Sequence, residues 1–255
     1  MDLNGLTIAG LSPVMVAFSL VVVFPAAIVR GYSGFGFSAL LVAGLSLFVA
    51  PAEVVPVALL LEIAASLHML PKVWKDVDRR LVGWLFLGAA TATPLGSHLL
   101  ATLPASPMRI TLYVVCLVAA LAIRGGLRAR NGHGVGPIVG AGLVGGAVNG
   151  ATAMGGLMVV IFLLTGSMAA AAMRASLIAF FLVLDMYATA LMGAESLLTG
   201  DVLLRTAIFT LPLLAGNMLG HSTFVAMAPE SFRRYTLTLL VILSGGGLLR
   251  TFWGP

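Results

Sequence analysis

Hydrophobic residues run through this chain in long blocks that charge barely interrupts. Between Asp2 and Arg30 lie 27 uncharged residues, between Arg80 and Arg109 lie 28, and between Arg130 and Arg174 lie 43. A helix crossing the roughly 30 Å hydrocarbon core of a bilayer needs about 20 mostly apolar residues, so the last interval holds more than one segment. With charges, Pro and Gly as punctuation, the pattern predicts ten apolar segments at about 6–29, 33–50, 52–70, 81–103, 108–124, 135–150, 154–166, 168–193, 202–227 and 234–249. The second and seventh are short or interrupted by glycine, and each reads either as a full crossing or as a broken or re-entrant helix. No block remains for a soluble domain: the longest hydrophilic piece, Pro71 to Arg80, is too short to fold, which excludes ATP hydrolysis.

Composition confirms the class. Of 255 residues, 60% are hydrophobic and 9% charged, against roughly 25% charged in soluble domains, and the mean hydropathy is +1.10. A soluble enzyme, a disordered chain and a disulfide scaffold are excluded, the last because Cys116 is the only cysteine. The expectation is an all-α polytopic protein of the bacterial cytoplasmic membrane. A net charge of +5 would suggest nucleic acid in a soluble protein. Here the basic residues bunch at segment ends, which points to membrane topology and anionic lipid instead. No Lys or Arg precedes Arg30, so the first block reads as a permanent helix and not as a cleaved signal peptide. With ten crossings and an outside N-terminus, Arg30, Lys72, Lys75, Arg79, Arg80, Arg124, Arg128, Arg130, Arg174, Arg233 and Arg234 fall inside. That is eleven of the 14 basic residues, leaving Arg109, Arg205 and Arg250 outside.

The Arg- and Gly-rich stretch from Arg124 to Gly136 divides the chain into halves, 1–130 and 131–255, of five segments each. Homologous halves with an odd number of segments must lie in opposite orientations, the inverted-repeat plan of many secondary transporters. An offset of 119 aligns Gly31 with Gly150, Gly36 with Gly155 and Leu59 with Ile178. Later, 124 aligns Gly96 with Gly220, and 125 aligns Pro104 and Arg109 with Pro229 and Arg234.

Candidate chemistry concentrates where the second segment opens, at Arg30, Gly31, Tyr32, Ser33, Gly34, Phe35, Gly36, Phe37 and Ser38. Glycine weakens a helix by roughly 1 kcal/mol relative to Ala, and loosened backbone in a membrane needs protein or water partners. The matching stretch holds Asn149, Gly150, Thr152, Gly155 and Gly156. Paired interruptions of this kind mark transporter sites, because helix N-termini present N–H groups to an anion; the alternative is close helix packing. Gly142, Gly146 and Gly150, like Gly216 and Gly220, follow a four-residue spacing that suits packing. Pro56, Pro94 and Pro212 predict kinks. Glu62 and Asp185 lie within apolar segments, where an ionised carboxylate costs about 2.5–3.5 kcal/mol even on insertion scales. Each reads as a proton-coupling group or as a neutral structural contact. Asn217 and His221 share one helix face, and Arg174 is an anion contact or an interfacial anchor. His68 and His98 sit near segment ends, as do Trp74, Trp84 and Trp253. No spacing of His, Cys, Asp or Glu suggests a metal site, and no cofactor is expected.

Gly31-Tyr32-Ser33-Gly34 matches the GxSG string of rhomboid proteases, with His221 or His68 as a conceivable base, but in rhomboids the serine lies in a compact six-helix core. The ordered set from Arg30 to Gly36, Pro51, Val77-Asp78, Leu95-Gly96, Leu103-Pro104, Arg174-Ala175 and Pro212 to Gly216 to Gly220 resembles the TauE/SafE membrane proteins, often called sulfite exporters. Many members have three consecutive glycines where this chain has Gly34-Phe35-Gly36, and a Gly-Pro-Pro-like motif where it has Met154-Gly155-Gly156. The resemblance implies secondary transport of sulfite, sulfonates and related small anions, with protons as coupling ion. A passive anion channel is the alternative. The expected partners are the anion, protons, the bilayer and, optionally, further copies of the chain, with no nucleic acid.

Overall fold

The computed structural model describes residues 7–125, 134–224 and 229–253, and the side chains among them except those of 223–237 and 239. The boundary between 130 and 131, with Arg128 and Arg130, lies outside the described residues, as do the side chains of Arg233 and Arg234. Among the described residues the chain forms ten α-helices: α1 (Pro13–Ser33), α2 (Phe37–Leu45), α3 (Pro51–Val73), α4 (Arg79–Thr102), α5 (Ala105–Arg124), α6 (Val135–Thr152), α7 (Gly155–Leu163), α8 (Ala170–Ala194), α9 (Gly200–Phe224) and α10 (Pro229–Trp253). Each corresponds to one expected segment. An all-helical span is what hydrocarbon imposes, since every backbone N–H and C=O must be satisfied within its own segment. Six helices, α1, α3, α5, α6, α8 and α9, are long and apolar enough to cross a membrane.

The two short segments resolve into hairpins. Ser12 caps α1 by accepting from the Met15 N–H, and Pro13 sits where its missing N–H costs nothing. The helix continues through Arg30 to Ser33, so these residues close α1 instead of opening α2. It ends where Gly34 and Gly36 take φ of +82° and +91°, values that favour glycine. α2 then folds back along α1: Gly36 abuts Val29, Gly44 abuts Val22, and the Phe48 ring meets Phe18 edge-on at 5.3 Å. In the second half α6 stops at Ala153 with φ +56°, and α7 returns along α6, with Gly155 against Gly145 and Asn149. The second break is thus made by an alanine, while Gly150 stays helical. At nine residues each, α2 and α7 are roughly 13 Å long and do not span a bilayer as helices. That corrects the expectation of ten full crossings. Because each hairpin returns the chain to the end it came from, the side on which every later loop falls is unchanged.

The hairpins arrive from opposite ends. α1, α3 and α9 run parallel, with Glu53 beside Arg205 and Ala65 beside Asn217. α6 runs parallel to α4, and α8 starts beside the end of α3, where Met69 and Val73 pack with Ala175 and Ile178. α1 packs on α9 as α6 packs on α4; α3 packs on α9 as α8 packs on α4; α2 packs on α10 as α7 packs on α5; α3 faces α8 and α5 faces α10. Replacing every helix by the one five places along maps this set onto itself. The correspondence holds at single contacts: Gly220 abuts Ile28 and Tyr32, and Gly96 abuts Ala147 and Ala151, related by 119 on one helix and 124 on the other. Gly142, Gly146 and Gly150 do serve close packing, lying against Leu85, Ala89 and Thr93 of α4.

Candidate functional site

The hairpin tips meet in the centre of the bundle. Gly36 and Ser38 from the first, Asn149 and Gly156 from the second, Glu62 of α3 and Asp185 of α8 line one small cavity of about 20 Å³, room for about one water molecule. Ala39, Ala153, Leu157 and Phe181 complete its lining, and its polar residues Glu62, Asn149 and Asp185, like Arg30 behind them, are each 4% exposed or less. Arg30 lies in the last turn of α1, where its Nε donates to Glu62 Oε2 at 2.5 Å, Nη2 to Ser66 Oγ at 2.8 Å, and Nη1 to the Gly34 carbonyl. Its guanidinium stacks over Phe181 at 5.2 Å. The other oxygen of Glu62, Oε1, accepts from the Ser38 hydroxyl at 2.9 Å and from the Ser38 N–H at 3.4 Å. Glu62 therefore caps the N-terminus of α2, a position that favours negative charge. Opposite, Asn149 Nδ2 donates to Asp185 Oδ1 at 2.8 Å.

These contacts are one motif written twice with different residues. The offset of 119 places Asn149 at the position of Arg30, Asp185 at that of Ser66 and Phe181 at that of Glu62. The Arg30–Ser66 and Asn149–Asp185 bonds are the same contact in the two halves. Only the first half carries an ion pair there, so the centre holds one guanidinium and two carboxyl groups.

The family model described as Sulfite exporter TauE/SafE matches residues 19–246, nearly the whole chain. The chain belongs to the TauE/SafE family. Membership makes it a multi-pass membrane transporter and not an enzyme. No curated protein and no solved structure matches it.

Within this TauE/SafE chain the other candidate residues part company. Gly31 packs against the Asn217 backbone and Gly150 against Thr93 and Ser97, so both serve helix contact and neither opens onto the cavity. Gly155 abuts Gly145, and Thr152 spends its hydroxyl on the Val148 carbonyl while accepting from Met154 N–H. Tyr32 is buried. The Ser33 hydroxyl lies 2.7 Å from the Val29 and Phe35 carbonyls of its own tip, and among the described residues no imidazole is bonded to it. Asn217 is buried and reaches the Ala65 carbonyl at 3.4 Å. Arg30 and Arg174 are not interfacial anchors, as a tally of inside charges assumed, because both are buried. Arg174 donates to the Gly31 carbonyl and lies 3.0 Å from His221 Nδ1. His221 is within electrostatic reach of Lys72 and His68, themselves 3.0 Å apart. Arg174 and His221 thus belong to a basic cluster where α3 and α9 end; Arg174 abuts the tip at Gly34 and lies within electrostatic reach of Arg30 without lining the cavity.

Sequence reasoning missed Ser66 and the role of Ser38. Ser66 lies one turn after Glu62, and a polar residue four positions from a buried acid on an apolar helix was the available signal. Ser38 stood in the glycine stretch, but its role needs Glu62 brought to it from 24 residues away.

Proposed function

We propose that this chain is a secondary transporter that carries a small sulfur oxyanion, sulfite or an organosulfonate, across the bacterial cytoplasmic membrane in linkage with protons. It is organised as two inverted five-helix repeats, 1–130 and 131–255. The observation that carries the reading is the meeting of two half-length hairpins, from opposite ends of the bundle, around one small cavity lined by Glu62, Asn149 and Asp185, with Arg30 bonded to Glu62 behind it. Broken helices paired in this way suit alternating access, in which one repeat rocks against the other around a fixed site. The guanidinium supplies the cation an oxyanion needs, and Asn149 supplies an amide donor on the opposite wall. Asp185 and Glu62 are the groups on which a proton would travel. The matched contacts of α1 with α9 and α6 with α4 support the repeat.

The constriction to about 20 Å³ where the hairpin tips meet favours a carrier over a passive channel, which requires a continuous water path. Exporting a monoanion from a cell negative inside releases about 2.3 kcal/mol per 100 mV, so export needs little coupling and uptake needs at least one co-transported proton. Proteoliposomes loaded with labelled sulfite or a labelled sulfonate test the reading. Saturable flux that responds to an imposed pH gradient is expected. Non-saturating flux indifferent to the gradient would replace the carrier by a channel, and no flux of either anion would end the reading.

A further inference from the structure

We propose that the carboxylate of Glu62 occupies the oxyanion subsite of the transporter, and that a substrate oxyanion takes its place on Arg30 and Ser38 when Glu62 accepts a proton. The inference rests on the anion-transport reading above and names the atoms of its site. Three donors converge on Glu62: Arg30 Nε on one oxygen, the Ser38 hydroxyl and the Ser38 N–H at the start of α2 on the other. This is the arrangement that would grip two oxygens of a sulfonate or of sulfite, since a guanidinium and a helix N-terminus both select anions. The donors expected to bind substrate are therefore already engaged, by a side chain that likewise presents two anionic oxygens. The adjoining cavity is bounded by the same Glu62 and Ser38, and at about 20 Å³ it holds no substrate until the carboxyl group moves.

Charge balance gives the exchange its proton. The groups around Glu62 and its guanidinium partner are Arg30 on α1, Ser38 on α2, Ser66 on its own helix, Asn149 on α6, Phe181 and Asp185 on α8, and Arg174 at the start of α8, within electrostatic reach of Arg30. Arg30 is the cation bonded to Glu62, while Arg174 is engaged with the Gly31 carbonyl and His221. A bound monoanion beside an ionised Glu62 would leave buried negative charge without a partner, which low-dielectric surroundings penalise strongly. One proton from solvent added to the Glu62 carboxylate as one monoanion binds leaves the net charge of the site unchanged. The result is a neutral carboxylic acid, released from Arg30, and an anion seated in its former position. The ligand class is a small anion presenting two oxygens on one face, and Ser38 becomes a binding residue.

The test measures binding of ethanesulfonate, whose own charge does not change with pH, and of sulfite to the purified full-length protein. Wild-type affinity for ethanesulfonate should weaken by about tenfold per pH unit on the alkaline side, the slope of one linked proton. Glu62→Gln should abolish the slope and bind at least tenfold more tightly than wild type at alkaline pH. Ser38→Ala should weaken binding several-fold in both the wild-type and Glu62→Gln backgrounds. If Glu62→Gln does not fold, Glu62→Asp, too short to bridge Arg30 and Ser38, should keep the slope and bind more tightly than wild type at alkaline pH. A Glu62→Gln protein that keeps the wild-type slope, or a folded one that no longer binds, overturns the exchange while leaving anion transport intact. A wild-type protein that binds and moves neither anion overturns the transport reading itself.

Discussion

Arg30→Met isolates the energetic weight of the central ion pair. Arg30 and Glu62 are 2% and 4% exposed, with donor and acceptor 2.5 Å apart. Charge centres about 4 Å apart attract by about 4 kcal/mol at an effective dielectric near 20, and stripping one partner from a buried pair typically costs about 3–5 kcal/mol. For a chain of this size, 1 kcal/mol moves the melting temperature by about 2–4 °C, so Arg30→Met should lower it by about 6–20 °C. Replacing both partners with apolar residues leaves no orphaned charge. Arg30→Met combined with Glu62→Leu should therefore recover most of the loss, the reverse of additive behaviour. Cys116 makes the assay direct: it is the only cysteine and is buried, so a thiol-reactive dye reports unfolding of the detergent-solubilised protein as it is heated. A single variant within about 1 kcal/mol of wild type, or a double variant no more stable than Arg30→Met, would refute the assignment of a desolvated, mutually dependent pair.

Two further outcomes follow from other contacts. Gly96→Ala places a Cβ 2.7 Å from the Ala151 nitrogen and should separate α4 from α6, lowering the melting temperature, whereas Gly83→Ala meets nothing within 4 Å and should stabilise by up to about 1 kcal/mol through helix propensity. Equal effects in the same thermal assay would contradict the packing role. Ser33→Ala removes a hydroxyl bonded only within its own tip, so it should lower stability by about 1 kcal/mol and leave sulfonate flux in proteoliposomes near wild type; collapse of flux in a folded protein would count against that assignment.

Much of the architecture was legible in one dimension because a bilayer imposes one-dimensional rules. Runs of about 20 apolar residues must become helices, and the ten segments follow from that. The offset of 119 that aligned Gly31 with Gly150 later relates Arg30 to Asn149 and Ser66 to Asp185 in space. Less legible were the breaks. Glycine spacing placed the first correctly but could not separate Gly31, which packs, from Gly34 and Gly36, which turn; the second break fell on Ala153.

The sequence by itself determined the membrane class, the segments, the family and the two acids that needed an explanation. It left Arg30 counted among the inside anchors, because a charge tally registers position along the chain and not which way a helix face points. Only the tertiary structure decided that Arg30 turns inward to Glu62, 32 residues away, that Glu62 caps α2 through Ser38, and that Asp185 answers to Asn149. The physical reason is rotational: hydropathy sets where a helix lies, while the partner of each polar group depends on how neighbouring helices are turned and how closely they approach. Those two quantities are set by the glycine contacts of α1 with α9 and of α4 with α6, which exist only once the chain has folded.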